Sequence, residues 1–564
     1  MKKVIKGVLF PILISLAFAA AYFYIFIPAI NLRSGAFWFF IFMCAAVFLI
    51  AYIFFVKPDW YYQTKSVLDG WFKSSLSEKS GKSKRHGAVK VEGETIPKAI
   101  KISFISLVSV IALLLILTLF TSSKIFRAAD YQAMLKVEET DFAEDIAEIP
   151  ISQIPIVDRE TAEKLGKRKI GEVVELVSQF DVSDLYSQIN YQNKPYRVSP
   201  LQYADILKWL SNREDGIPYY VSIDMATQDT QLVKLPEGMK YSPSEYFGRD
   251  VNRHIRMKYP TRMFENLSFE INEEGHPFWV MSYYDYTFGL FGGKDIEGII
   301  LVDAVSGETA DYALEDVPKW IDLAYSPELA VEQANNWGTL KNGFLNSIFV
   351  QRDVVVTTEG YNYIANDDDV WLYTGITSVS ADESNIGFIL INMRTKEAKR
   401  YMINGAEEYS AMDSAEGKIQ EKGYTATFPI LINVENIPSY FLSLKDNGSL
   451  VKAYAFVSVS DYQIVGVADT IAGAKSEYLR MLGINKPQIE IGATQSFTET
   501  VDGIATAVKD GNSLYYIKIG ENIYTADISV SDILPFLKAG DKIKFEANSE
   551  KVIAKLEIIN GTGN

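Results

Sequence analysis

One cysteine, Cys44, occurs in 564 residues. That excludes a disulfide framework, a Cys-rich zinc site and, outside the apolar stretch that holds it, a thiol nucleophile. Histidine is nearly as scarce. Beyond residue 124 there are only His254 and His276, with no His-Glu-x-x-His, no Cys-x-x-Cys and no Gly-x-Ser-x-Gly. No metal, cofactor or catalytic residue is expected from these motifs. Positive charge is short too. Residues 1–124 carry 15 Lys and Arg against 5 Asp and Glu, a net of +10; the remainder carries 40 against 66, a net of −26. A body of that charge lacks the clustered cations that phosphate backbones need, so nucleic acid is excluded as a partner.

Apolar residues are instead concentrated near the N-terminus. Three runs, 8–27, 35–56 and 102–120, are free of charge and close to the ~20 residues that cross a ~30 Å hydrocarbon layer. The sequence therefore predicts three transmembrane helices within a membrane domain, residues 1–124. Lys2, Lys3 and Lys6 precede the first run, only Arg33 separates the first two, and the loop 57–98 is rich in Lys. This asymmetry places the N-terminus and that loop in the cytoplasm and everything after about Thr121 outside. Residues 1–23 also resemble a signal peptide, but the apolar run continues to Ile27 without a polar break, which favours a retained anchor. The lack of cysteine in so large an external part favours a bacterium with a single membrane. The expected localisation is the cell membrane, multi-pass.

Within the loop, 74–90 is Ser-, Gly- and Lys-rich and reads as flexible, and 59–72 is aromatic-rich, as at a bilayer interface. Beyond the membrane domain the chain alternates helix signals with pairs of strands. "EGIILVDAVSGETADY", 297–312, is echoed by "IGFILINMRTKEAKRY", 386–401; without gaps, Gly298 meets Gly387, Glu308 meets Glu397 and Tyr312 meets Tyr401. A third copy, 216–235, matches Asp224 to Asp303, Thr227 to Ser306 and Asp229 to Glu308. A fourth, 450–468, has a shorter turn at Ser460-Asp461. Asp, Ser, Thr and Gly suit such turns because they bond their own backbone or tolerate unusual dihedrals. Helices are predicted over 199–214, capped by Ser199 with Leu201, Ile206, Leu207 and Leu210 on one face, and within 405–424. The fold class is α+β: antiparallel sheets with packed helices, in modules 125–240, 241–330 and 331–485. Residues 488–560 show short alternating strands and turns, predicting a small β-barrel like an OB or SH3 module.

The hairpin Leu301-Val302-Asp303-Ala304-Val305-Ser306-Gly307-Glu308 resembles the PepSY-type domain of bacterial extracytoplasmic proteins. The copy at 390–397 departs from the pattern, with Asn392 for the Asp and Lys396 for the Gly, and the first copy has Gln228 for that Gly. The resemblance implies a helix packed on an antiparallel sheet and a role in binding or restraining an envelope protein.

Chemistry has few footholds. Ser449-x-x-Lys452 lies in a strand-like run, where residues three apart face opposite ways, so it is not a penicillin-binding-type site. Asp367–Asp369 lack the spaced ligands of a calcium loop and read as a polar turn, and His276 beside aromatics reads as structural. The unusual stretch is 246–260, where Arg249, Arg253, His254, Arg256 and Lys258 gather positive charge in an acidic body. They are expected either to form internal salt bridges or to hold an anionic ligand. The function expected is a non-catalytic membrane-anchored scaffold or interaction protein of the cell envelope. Its partners would be the lipid bilayer and an envelope protein or wall polymer. The alternatives are an envelope enzyme using dispersed carboxylates, and a sensor or transport accessory protein.

Overall fold

Lys2–Phe26 and Gly35–Val56 are α-helices. A helix satisfies its own backbone, so apolar side chains can face outward into a medium without water. Leu9–Phe26 and Gly35–Tyr52 leave nearly all of theirs unburied. The pair folds back as a hairpin, with Phe10 5.7 Å from Phe55 and Tyr22 5.4 Å from Phe40 between ring centroids. Two such helices near the N-terminus are compatible with membrane anchoring. The computed structural model describes residues 2–56, 109, 113, 116–366, 369–379, 384–483, 495–509, 512–527, 530–531, 533–548 and 551–559. The expected cytoplasmic loop 57–98 and most of the expected third span, 102–120, lie outside them. Residues 116–122 are helical and lead into the helix Lys124–Gln132.

A helix followed by an antiparallel sheet then recurs four times. Arg159–Gly171 precedes a five-stranded sheet made from segments of 180–239. Val251–Lys258 precedes a four-stranded sheet over 263–313. Pro327–Thr339 precedes the strands of 355–406, and Glu408–Lys418 those of 425–468. Three of these helices start on a side-chain cap. Asp158 accepts from the Thr161 amide, Asp250 from Arg253 and Ser326 from Leu329, which satisfies donors that the first turn leaves free. The four sheets share continuous apolar packing. One core runs through Ile217, Phe269, Trp279, Tyr373, Phe388, Phe441 and Phe456, and a second lies between the second and third sheets and Pro327–Thr339. Burying each such side chain contributes about 1.5–3 kcal/mol. Strands such as Asp369–Ser378 and Ile437–Lys445 are buried along nearly their whole length, so they lack the polar alternation of a one-sided sheet.

The four echoed stretches are four hairpins, one in each sheet. Three have one turn. Asp224, Asp303 and Asn392 each accept, through Oδ1, from the amides two and three residues on. Thr227, Ser306 and Thr395 then accept from the amide two further on. The fourth is held differently, by Ser458 and Asp461. The strand Val137–Thr140 adds to the third sheet in parallel beside Ala398–Tyr401. Beyond it, Asp145 pairs with Lys399 at 2.9 Å and accepts from the Tyr401 hydroxyl, Asn433 donates to the Ile146 carbonyl at 2.7 Å, and Glu148 pairs with Lys475 at 2.7 Å. The segment leaving the apolar region is thereby fastened to the third and fourth sheets.

Two expectations are corrected. The helix predicted over 199–214 is Ile206–Asn212, capped by Asp205. Ser199 and Pro200 belong to the strand Lys194–Tyr203, which sends Leu201 into the core and leaves Ile206, Leu207 and Leu210 exposed. The expected C-terminal barrel is not closed among the described residues. Gln495–Thr500, Lys542–Ala547 and Ile553–Ile558 form one three-stranded sheet, and Gly503–Lys509, Asn512–Ile519 and Asn522–Asp527 another. They share a core around Ile517, Tyr524, Leu534 and Phe545 and meet at one parallel bridge, Thr525 to Val552.

Candidate functional site

The apolar hairpin is clamped to the body at the second sheet. In its connecting loop, the Ile30 amide donates to the Pro260 carbonyl at 2.7 Å and the Asn31 side chain to the Thr261 carbonyl at 3.1 Å. Arg33 donates to the Tyr286 carbonyl at 2.7 Å and pairs with Asp285 at 3.0 Å. From the other side, the Ser122 hydroxyl oxygen accepts from the amides of Leu290 and Phe291, and the Tyr131 ring meets Phe288 edge-on at 4.8 Å. The tip of the long hairpin Pro277–Phe288/Gly292–Asp303 is thus held by the loop between the two apolar helices and by the segment that follows residue 120.

Beside this clamp lies the basic helix Val251–Lys258. Val251 and Ile255 are fully buried and fix its inner face. Its cations point to separate places. The His254 ring lies tilted against Tyr241, 4.5 Å between centroids, and its Nε2 lies 2.8 Å from the Gly307 carbonyl. A carbonyl only accepts, so Nε2 carries the proton; burial lowers the imidazole's pKa. Lys258 donates to the same carbonyl at 3.2 Å and to Thr309 Oγ1 at 3.3 Å. Arg256 turns inward, donates to the carbonyls of Tyr259 and Arg262 and lies 4.0 Å over the Phe264 ring; burial pulls it down to about 10, so it stays charged near neutrality. Arg253 faces the hairpin. It donates to the Tyr24 carbonyl at 3.2 Å and the Phe247 carbonyl at 2.9 Å, with its guanidinium 4.7 Å over the Tyr24 ring. Arg249 donates to the Arg213 carbonyl. Backbone carbonyls hold these residues: none forms an ion pair with a carboxylate among the described residues.

A cavity of about 340 Å³ opens next to this helix, lined by Tyr203, Asp205, Ser244, Glu245, Asp250 and Arg253 among others. Glu245 is almost wholly buried and is fixed by two donors, the Tyr203 hydroxyl and Trp209 Nε1, both at 2.7 Å. Burial pushes Glu245 and Asp250 above the usual carboxylate range. Three carboxylates and one guanidinium make this a cavity for donor groups more than for anions. Glu245 carried no sequence signal: it is a single Glu between Ser and Tyr, with no spaced partner. No group of three or more His, Cys, Asp or Glu among the described residues is placed to hold a metal ion.

The other sequence motifs fall into structural places. Ser449 sits in a turn and donates to Glu160 at 2.6 Å, while Lys452 lies in the strand Val451–Ser458. Asp367 and Asp368 are outside the described residues; Asp369 is paired twice by Arg394, at 2.7 and 2.8 Å. His276 Nε2 lies 2.9 Å from Asp303, the turn residue of the second sheet.

No protein-family model and no curated protein matches the chain. Among solved structures, similarity is found to the Bombyx mori GH32 beta-fructofuranosidase BmSUC1, at 10% identity over 72% of this chain and 71% of that one, TM-score 0.18. A variant of B. megaterium levansucrase is similar at 9% identity over 75% of this chain and 96% of that one, TM-score 0.18. Scores this low establish neither a shared fold nor a shared activity.

Proposed function

We propose that this chain is a membrane-anchored interaction or scaffold protein of the bacterial cell envelope. Its hairpin and the residue 102–120 span cross the membrane, and its acidic body stands outside and binds a protein or wall partner near the surface. The observation that carries the reading is the clamp. The loop of the apolar hairpin is bonded to the second sheet through Ile30, Asn31 and Arg33, so the body is seated directly on its anchor. A body seated in this way presents the same surfaces at a fixed height, which suits a scaffold. The repeated helix-and-sheet units and the PepSY resemblance of the turn at 301–308 support the same role.

The test is topological and then biochemical. A phosphatase fused after Asn564 is expected to be active and a fluorescent protein that folds only in the cytosol dark. Full-length protein is expected to need detergent, and crosslinking in intact cells to capture a specific envelope partner. A bright cytosolic reporter, or a full-length chain soluble without detergent, would remove the proposal. One observation favours a second reading, an envelope enzyme: the raised Glu245 beside Asp205 and Asp250 in an open cavity. Under that reading the intact chain complements a strain that lacks it and Glu245→Gln does not, while partner capture is unchanged; under the scaffold reading Glu245→Gln retains both.

A further inference from the structure

Resting on the anchored reading above, we propose that the foot of the first sheet is a second membrane contact. Ile206, Leu207, Leu210 and Phe247 dip into the headgroup–acyl boundary of the leaflet from which the hairpin loop emerges.

Three independent observations lead there. The first is position. Arg253 bridges the Phe247 carbonyl to the Tyr24 carbonyl with one guanidinium. Tyr24 lies in the last turn of the apolar stretch Leu9–Phe26, where carbonyls lack helical partners and the helix dipole is negative, so a cation caps it well. Phe247 is therefore held at the level where the first helix leaves the hydrocarbon. The second is exposure. Phe247 is 64% exposed and Leu207 69%, with Ile206 and Leu210 about half exposed. On Ile206–Asn212, positions 206, 207 and 210 fall on one side, whereas Trp209 turns inward to Glu245 and packs at a tilt against Tyr246 and Phe247, at 4.7 and 6.0 Å. The shared face expected of Leu201, Ile206, Leu207 and Leu210 is divided by the fold: Leu201 is buried in a strand, and the other three stay exposed on the short helix. The third is backbone conformation. Phe247 has φ +56°, the left-handed region that a bulky residue adopts at a cost, and the result is an aromatic ring presented outward.

The surroundings fit a lipid surface. Lys208, Arg213, Arg249 and Arg253 lie at the patch, alongside the carboxylates of Asp205 and Asp250 on its cavity side. An apolar wedge with cations beside it suits an interfacial contact: the ring and aliphatic chains enter, and the long basic side chains keep their charged ends at the headgroup level. The extra contact would fix the tilt of the body on its anchor.

Depth measurement decides it. Full-length protein, with Cys44→Ser as a cysteine-free background, is placed in nanodiscs of phosphatidylcholine and phosphatidylglycerol and given one nitroxide at a time. The sites are Leu207→Cys, Leu210→Cys and Phe247→Cys, with Leu16→Cys in the first helix as the lipid reference and Val174→Cys, at an apolar position 78% exposed, as the aqueous one. The expected result is an oxygen-to-nickel collision ratio at 207, 210 and 247 several-fold above that at 174 and approaching that at 16. A lipid-like value at 16 with aqueous values at 207 and 210 overturns this contact and leaves the anchor standing. An aqueous value at 16 overturns the anchored reading and this contact with it. Because Phe247 sits in a strained turn, the two leucine positions carry the decision.

Discussion

Gly307 and Lys396 hold the same left-handed place in two copies of one turn, at φ +76° and +67°. Gln228 holds it in a third copy, at φ +64°. The strain is relieved by glycine and borne by the other two.

The three positions differ in what surrounds them, which makes the turn testable. A Cβ on Gly307 would run into the Tyr241 ring, and its carbonyl serves His254 and Lys258. Gly307→Ala is expected to destabilise by about 1–3 kcal/mol. Gln228→Gly is expected to be neutral or to stabilise by up to about 1 kcal/mol, because relief of the left-handed strain offsets the added chain entropy. Lys396→Gly should gain less, since Lys396 also pairs with Asp295 at 2.6 Å. Thermal unfolding of the three variants checks the order.

These turns could be read from the sequence because their chemistry is local: an Asp or Asn accepts from amides two and three residues ahead wherever the chain lies. The helix at 199–214 could not be read in the same way. Ser199-Pro200 is a valid helix start in isolation, but pairing along Lys194–Tyr203 draws both into a sheet, and Asp205 caps what is left. The basic stretch 246–260 was visible as a cluster of charge. Its partners were not, because Arg253 meets a carbonyl 229 residues earlier and His254 one in the next hairpin. In the C-terminal part, alternation marked the strands, whereas closure depends on edge-to-edge pairing that alternation does not encode.

Lys445 joins the first helix-and-sheet unit to the fourth. Its ammonium donates to Asp158 at 2.7 Å and Glu160 at 2.8 Å, and it is itself nearly buried. Lys445→Met should leave Asp158 without its cation and cost about 2 kcal/mol. Burial pushes Asp158 up, but Lys445 and Thr161 outweigh it and hold the carboxylate below its usual range. A depressed folded pKa gives stability that is present above the unfolded value of 3.8 and is lost as pH falls through the folded one. The gap between wild type and Lys445→Met should therefore narrow in acid, as followed by urea unfolding across that range.

Glu270 has the opposite sign. It is fully buried where the first three units meet. Ser268 Oγ and the amides of Asp322 and Leu323 donate to it, and Asp322 in turn accepts from the Asn190 amide at 2.7 Å. Burial pushes its carboxyl from 4.5 up to about 7. A raised folded pKa means that the folded chain holds the proton longer, so stability is full below about pH 4.5 and falls as pH rises towards 7. Hydrogen exchange at the Asp322 and Leu323 amides, corrected for intrinsic rates, should show easier local opening at pH 8 than at pH 5. Glu270→Gln should flatten that dependence, whereas Glu270→Ala should open the joint at both pH values.

The clamp between the apolar hairpin and the body is expected to be modular. Arg33 and Asp285 are each roughly a third exposed, so their pairing energy is screened and a double-mutant cycle should give about 0.5–1 kcal/mol of coupling. Arg33→Ala costs more than that, because the Tyr286 carbonyl also loses its donor. Ser122→Ala removes the acceptor of two amides at the opposite side of the same hairpin tip and should loosen Leu290 and Phe291 without disturbing Pro260 and Thr261. If the two grips act separately, exchange at 259–262 responds to Arg33→Ala and exchange at 289–291 to Ser122→Ala. If either variant loosens both segments equally, the tip and the loop open as one unit, and the hairpin holds the body through a single cooperative joint.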